Sequence, residues 1–291
     1  MVTRPLARVT PYAALLPMAL VAAVGYVGAG LWTFYISLTG SRTFPSGRFI
    51  GLAQYHRLFD NERWMLSLHN LAAYGVVFVL ASLVIGFLLA VFIDSNVKGE
   101  GVFRTIFLYP YAMSFVATGL VWQWLLTPGD GIAGAIRALG FTHVRVDWIV
   151  SQDYAIFAVA VATVWQASGL VMALMLAGLR GIDPEIWKAT RLDGIPAWRV
   201  YAQIVLPMMW PTIATVLLLL ATAVAKLYDA VVAMTQGGPG IASEVPAKFI
   251  MDHLFLRSNV GLASAAAIVL LVPVLALLAP YAYARSRREI A

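Results

Sequence analysis

The sequence predicts an all-α integral membrane protein that crosses the bilayer about six times, and three observations carry this prediction. Only 12% of its 291 residues are charged, about half the ~25% typical of a soluble domain. Hydrophobic residues make up 61% of the chain. They gather into six largely uncharged stretches, each long enough to supply the ~20 residues that a helix needs to cross a ~30 Å hydrocarbon core. In lipid every backbone N–H and C=O needs a partner inside its own segment, so these stretches must be helical. Residues 1–291 are expected to form a single transmembrane domain.

The first span runs over 9–41, and the next three over 71–93, 105–129 and 154–179. The fifth begins near Pro211 and reaches about Met234, and the sixth covers 261–284. The apolar part of the first is far longer than the ~7–15 residues of a signal-peptide core, so it reads as a retained helix. Six crossings leave both termini on one side. Eleven of the 20 Lys and Arg fall on that side, in the two tails and in the 94–104 and 180–210 loops. Eight fall opposite, over longer loops, and the last, Lys226, lies inside the fifth span. The excess of positive charge places both termini in the cytoplasm.

Several function classes drop out. There are no cysteines, which removes disulfides, cysteine-ligated metals and thiol catalysis. The net charge of +6 reads as membrane topology, not as a nucleic-acid surface. His56, His69, His143 and His253 sit at span ends or in loops without metal-ligand spacing, so no metal or other cofactor is expected. Neither a G-x-S-x-G elbow nor a G-x-x-x-x-G-K-[ST] loop occurs. No catalytic residue is assigned, the chain is not expected to be an enzyme, and any ATP-driven step needs a separate ATPase chain.

The 180–210 loop carries the clearest local code. Asp183 is a good N-cap and Pro184 a good first helical residue. Gly194 stands where a glycine in the left-handed region ends a helix. Pro196 opens a second helix in which Trp198, Tyr201, Ala202 and Val205 fall on one stripe at i, i+3, i+4 and i+7. Pro207 and Pro211 break the path before the chain re-enters the membrane. A capped helix of about nine residues thus projects between two spans, shaped to dock into a partner's groove.

This segment resembles the EAA loop of binding-protein-dependent ABC importer permeases. Ala189, Asp193, Gly194, Tyr201, Ile204, Leu206, Pro207 and Pro211 fit that pattern, whereas Lys188 stands where the family usually has Glu, and Ile195 where it has Ala. Glu185, one turn earlier, is placed to substitute in part. Three further segments resemble family signatures in the expected order: 49–55 (FIGLAQY), 104–110 with 122–124 (RTIFLYP, WQW), and 228–229 with 235–239 (YD, TQGGP). Within the carbohydrate branch the chain is similar to the glucose/mannose type, through 59–64, 147–148, 165–169 and the departure at Lys188.

The resemblance implies a type I importer permease (MetI-like) in a bacterial or archaeal cytoplasmic membrane, moving a sugar inward. It also implies partners: a second permease subunit, a dimer of cytoplasmic ABC ATPases and an extracytoplasmic solute-binding protein. Glu185, Ala189, Asp193 and Gly194 would face the ATPase. Gly237, Gly238 and Pro239, in an outer turn, would either meet the solute-binding protein or serve only as a tight turn. A permease for a non-sugar solute is the nearest alternative. An ion-coupled secondary transporter is disfavoured by the absence of a repeat and by the elaborate loop.

Inside the spans, Lys226 and Asp229 share a face with Thr222 if the fifth span continues as a helix to Met234. At ~1.5 Å per residue they lie roughly 22 and 27 Å from Pro211. Buried ionisable groups in a membrane are functional candidates. The alternatives are a self-compensating ion pair or a lysine reaching for the outer interface. A sugar needs hydrogen-bonding groups for its hydroxyls and an aromatic face for its ring, so Trp165, Gln166 and Tyr228 join the list of pathway residues. For Trp165 helix packing is the competing explanation.

Overall fold

A computed structural model describes residues 6–95, 97–141, 143 and 147–290, and the side chains among them apart from those of 6–13 and 277–290. Arg4 and Arg145 of the charge count lie outside the described residues, as do the side chains of Arg8, Arg285, Arg287 and Arg288. The described residues are helical, with a single β-bridge between Thr39 and Phe49.

The chain divides into two units, residues 1–62 with 249–273 and residues 63–248 with 274–291. In the first unit, α1 runs from Leu6 to Ala22, through a π-helical turn at Ala23–Gly28, to Ala29–Ser37. Its apolar stretch Ala14–Ser37 is buried within the chain only at its end, at Ile36 and Ser37, leaving most of it to lipid or a partner. The FIGLAQY segment is structural here. Gly51 takes φ +61° to start α2 (Ala53–Phe59). Gln54 is buried and donates to the Thr39 carbonyl at 3.0 Å, and Tyr55 and Ser37 share a hydroxyl hydrogen bond of 2.7 Å.

The second unit holds the second to fifth spans. α3 (Glu62–Asp94) runs unbroken. The third span is not the continuous helix expected over 105–129: it divides into α4 (Glu100–Ala112) and α5 (Phe115–Leu125), bent by 99°. Met113 is extended at the break, and Ser114 accepts a hydrogen bond from the Ala117 N–H to cap the new helix. After α6 (Gly131–Ala138), α7 (Ala155–Arg180) forms the centre of the unit, with most of its length buried. α8 (Pro184–Leu192) leads to a helical segment, α9, over Ala197–Met208, which turns 74° into α10 (Trp210–Ala225). Pro211 is tolerated there because it lies in the first turn, where its missing N–H costs nothing.

α11 (Asp229–Met234) is a separate short helix, so the fifth span ends at Ala225 and does not reach Met234 as one piece. α12 (Pro246–Met251) and α13 (Val260–Ile290) complete the chain, α13 carrying the sixth apolar stretch over Val260–Ala276. With each bent pair taken as one crossing, five helices among the described residues are long and apolar enough to span, and the shorter apolar helix Val260–Ala276 makes the set consistent with about six crossings.

Close approach within the second unit depends on glycine. A Cβ on Gly169 of α7 would overlap the Phe107 carbonyl of α4, and one on Gly86 of α3 would overlap Val171 of α7. One end of the unit is tied by ions: Arg180 reaches Glu100 at 2.9 Å and Asp94 at 3.4 Å, joining the ends of α3 and α7 to the start of α4. The alternation of span direction expected from the sequence requires these three ends to meet.

Candidate functional site

Both broken spans open onto one cavity. It has a volume of about 410 Å³, within the range of small-ligand sites. α10 contributes Thr222, the break after it contributes Lys226 and Tyr228, and α11 contributes Asp229. α7 supplies Gln166 and Thr163, and α3 supplies Tyr74. Tyr111, Met113 and Phe115 come from the break in the third span. Five of the six pathway residues predicted from sequence are therefore brought together.

Trp165 is the exception. It lies outside the lining and sits edge to face with Trp122, ring centroids 5.9 Å apart. Thr222, Lys226 and Asp229 do share the cavity, but not as a helical stripe, because the helix stops at Lys226. Neither Lys226 nor Asp229 forms an ion pair among the described residues, and both are exposed to the cavity or its mouth. The ion pair offered as an alternative explanation is absent from this conformation.

Gln166 has a fixed orientation. Its Nε2 donates to the Met113 carbonyl at 2.7 Å, an acceptor left free by the break between α4 and α5. Its Oε1 then has no hydrogen-bond partner among the described residues. The Tyr74 hydroxyl donates to Thr163 at 3.0 Å. Sequence reasoning missed Tyr74, Thr163 and Tyr111. Polar residues inside apolar spans were the available signal, and only those near Lys226 and the Trp165-Gln166 pair were followed.

The cytoplasmic-type loop forms a second surface. Asp183 accepts from the Glu185 N–H at 2.9 Å, as an N-cap should. Gly194 takes φ +64°. The Gly194 N–H donates to the Arg191 carbonyl at 3.2 Å and the Ile195 N–H to the Thr190 carbonyl at 3.1 Å, the paired bonds of a Schellman stop. Asp193 does not hold this corner through its side chain, which makes no hydrogen bond among the described residues. Glu185, Lys188, Ala189, Asp193 and Gly194 are all exposed, and Lys188 pairs with Glu185 at 2.8 Å.

The expected stripe on the following helix is corrected. Trp198 and Ala202 are exposed, while Val200 and Val205 are buried. The segment Val200–Val205 is π-helical, and its wider turn places residues five apart on one face. Trp187 of α8 stands 5.8 Å from Tyr201, which in turn stands 6.0 Å from Phe87 of α3. The helix is thus braced to the membrane unit by rings. Its outer tip carries Leu192, 88% exposed, an apolar side chain that sequence reasoning passed over because a lone leucine among polar residues has no periodic signature.

The third surface is the loop after α11. Gly237 takes φ +86° and is buried, with Gly238 and Pro239 half-buried. The residues that protrude are Gln236, Gly240 and Ile241. Beside them lies a second cavity of about 510 Å³, lined by Pro239–Ala242 and by His69, Gln152 and Asp153. No cluster able to hold a metal ion occurs among the described residues.

These features define a helical membrane protein with a polar-lined cavity and a capped, exposed helix outside the spans. Residues 82–290 match the family described as binding-protein-dependent transport system inner membrane component, and the chain belongs to that family. It is 33% identical over 272 residues to a probable ABC transporter permease protein of Pyrococcus horikoshii, covering 92% of this chain and 93% of that one. It is 28% identical over 266 residues to the trehalose/maltose transport system permease protein MalF of Thermococcus litoralis, covering 91% and 89%. Its fold superposes with a TM-score of 0.80, at 20% identity, on a chain from the crystal structure of a bacterial ABC transporter that imports alginate, covering 96% of this chain and 95% of that one. The protein is a permease subunit of the inner membrane, not an enzyme.

Proposed function

We propose that this permease subunit passes a sugar from a solute-binding protein into the cytoplasm, with both of its termini on the cytoplasmic side. The observation that carries the reading is the cavity itself. Thr222, Tyr228, Gln166, Lys226 and Asp229 offer hydrogen-bonding groups, and Tyr111 and Phe115 offer aromatic faces, the combination that polyhydroxylated rings require. The trehalose/maltose relative supports the same solute class.

The partners follow from the family. A second permease subunit completes the channel, a pair of ATPases takes α8 through Glu185, Ala189, Asp193, Gly194 and Leu192, and the solute-binding protein meets the exposed Gly240 and Ile241 of the loop whose turn Gly237, Gly238 and Pro239 shape. Residues 1–291 act as one permease domain whose coupling element is the 180–210 loop. ATP-driven closure of the ATPases pulls α8, and the braced rings at Trp187, Tyr201 and Phe87 pass that pull to α3.

The test is uptake by the full complex in proteoliposomes. Labelled neutral sugars, glucose and mannose among them, should enter only with the solute-binding protein outside and ATP inside. Uptake that needs an ion gradient and no ATPase would overturn the reading. So would uptake of charged non-sugar solutes alone. Orientation is read separately. The chain has no cysteine, so a single Lys98→Cys, at an exposed position, should resist an impermeant thiol reagent in intact cells and react in inverted vesicles.

A further inference from the structure

The loop after α11 is built as a rigid arm. Thr235 and Ser243 share a hydroxyl hydrogen bond of 2.7 Å across it, and the Ser243 hydroxyl donates to the Gly238 carbonyl at 2.7 Å. The Ser243 N–H donates to the Gly237 carbonyl at 3.1 Å. The arm is then fastened to the outer end of α3. Asn70 Nδ2 donates to the carbonyls of Ala242 and Glu244, each at 2.9 Å. Arg63 donates to Glu244 at 2.7 Å, and Lys248 lies 4.0 Å from the same carboxylate. The Glu244 side chain is only 2% exposed. A charge buried this deeply needs its partners fixed in place, so the fastening is stiff.

The near end of the arm is α11 itself. This helix is six residues long, Asp229 at its start lines the transport cavity, and Thr235 follows its end. α11 lies tight on α5: a Cβ on Gly119 would stand 2.5 Å from that of Ala233. The protruding apex, Gly240 and Ile241, is therefore one stiff body away from Asp229.

We propose that Arg63, Asn70 and Glu244 are positioning residues that transmit docking of the solute-binding protein at the arm's apex to α11 and the cavity. This rests on the reading of the loop as the docking surface. Were the arm loose, a partner pressing on Ile241 would bend the loop and leave Asp229 where it was. With its polar groups satisfied internally and its root held on α3, the arm turns as a unit, and α11 turns with it.

The test uses the whole complex in nanodiscs and measures ATP hydrolysis against the concentration of sugar-loaded solute-binding protein. Arg63→Met with Glu244→Met removes the closer pair together, although Lys248 also loses the carboxylate 4.0 Å away. The expected result is basal hydrolysis and half-saturating concentration close to wild type, with the maximal stimulated rate reduced about tenfold, within the range that one coupling network carries. Arg63→Lys, which keeps the charge, should recover much of the stimulation. Asn70→Ala makes the same test without touching the ions, and covers the case in which the double variant does not assemble. Full stimulation in either variant overturns the proposal.

Ile241→Asp separates this from the docking reading. It should raise the half-saturating concentration while leaving the rate at saturation intact. If it changes nothing, the partner docks elsewhere and both ideas fall. If it weakens docking while the Met/Met variant is stimulated normally, docking at the apex stands and transmission through the clamp is wrong.

Discussion

The second and fourth spans, α3 and α7, run unbroken, whereas the third and fifth break by 99° and 74°. The unbroken pair supplies the close packing and a fixed wall, with Tyr74, Thr163 and Gln166 facing the cavity. The broken pair supplies chemistry: Tyr111, Met113 and Phe115 come from one break, Lys226 and Tyr228 from the end of the other broken helix. A helix interruption frees backbone groups and makes room, and in a membrane that is tolerated only where the freed groups are covered by protein or face a cavity. Here Gln166 of an unbroken helix covers the Met113 carbonyl of a broken one. The two kinds of span differ in task, and their sensitivity to substitution should differ in kind.

The largest effect belongs to the packing pair. At Gly169 any side chain meets the Phe107 carbonyl of the neighbouring helix, and a backbone atom cannot rotate away. Gly169→Val should cost several kcal/mol, at or above the usual ~1–3 for overpacking. The expected readout is loss of assembled complex from the membrane, by quantitative blotting and co-purification. Normal assembly would show that α4 can shift on α7, and would remove the idea of a rigid wall.

Next comes the coupling helix, where conformation and contact can be told apart. Nothing lies within 4 Å of a Cβ placed on Gly194, so only its φ of +64° restricts the residue there. Gly194→Asn should be tolerated, because Asn enters the left-handed region readily. Gly194→Val should strain the Schellman stop by roughly 1–2 kcal/mol or more. The subunit should insert normally but recover about tenfold less ATPase on co-purification, since ~1.4 kcal/mol is tenfold in affinity. Leu192→Asp should also detach the ATPase, by charging the exposed tip without bending the helix. Equal ATPase recovery by the Val and Asn variants at 194 would dismiss the corner as a docking determinant.

The code of that helix was legible before any coordinates. An N-cap, a proline at the first position and a terminating glycine are local signals, and each is met by a bond or a dihedral. Length and charge likewise led to a count consistent with the helices found, five long enough to span and one shorter apolar helix among the described residues. The breaks were less legible. Hydropathy is indifferent to whether an apolar stretch is straight, so 105–129 and 211–234 read as single helices. Pro110 and the intramembrane charge at Lys226 were the only marks of a discontinuity. The π-helical segment at 200–205 was invisible for a similar reason, since periodicity assumes 3.6 residues per turn. The clamp on Glu244 joins residues 181 apart in sequence, and no local pattern reports such a contact.

The cavity charges should show a smaller and more selective effect than either glycine. Asp229→Ala leaves the cavity lysine without its nearby carboxylate and should lower uptake more than it lowers assembly. Lys226→Met with Asp229→Leu removes both charges. Since no ion pair joins them in this conformation, the double variant should assemble at wild-type level, and uptake of the cognate sugar should fall about tenfold, as when a hydrogen bond to substrate worth ~1.4 kcal/mol is lost. Near-normal uptake at matched membrane levels would reduce both residues to scaffolding and shift attention to Tyr111, Gln166 and Tyr228.

The smallest effect is expected at Lys188, the departure from the family pattern. Its ammonium meets Glu185 at 2.8 Å, but the two side chains are 67% and 74% exposed. A pair this open to water contributes roughly 0–1 kcal/mol, and an i, i+3 pair less still. Capping of α8 does not depend on it either, because Asp183 and Gly194 close the two ends independently. Lys188→Ala should therefore leave membrane level, ATPase recovery and sugar uptake within about twofold of wild type, the change that ~0.4 kcal/mol produces. Lys188→Glu is the sharper variant, since it sets two carboxylates one turn apart and presents the opposite charge to the ATPase. If Ala is silent and Glu detaches the ATPase, position 188 matters only through the charge that it shows to the partner groove. If Ala alone detaches the ATPase, the lysine itself is a contact, and the apolar tip at Leu192 shares the docking with it.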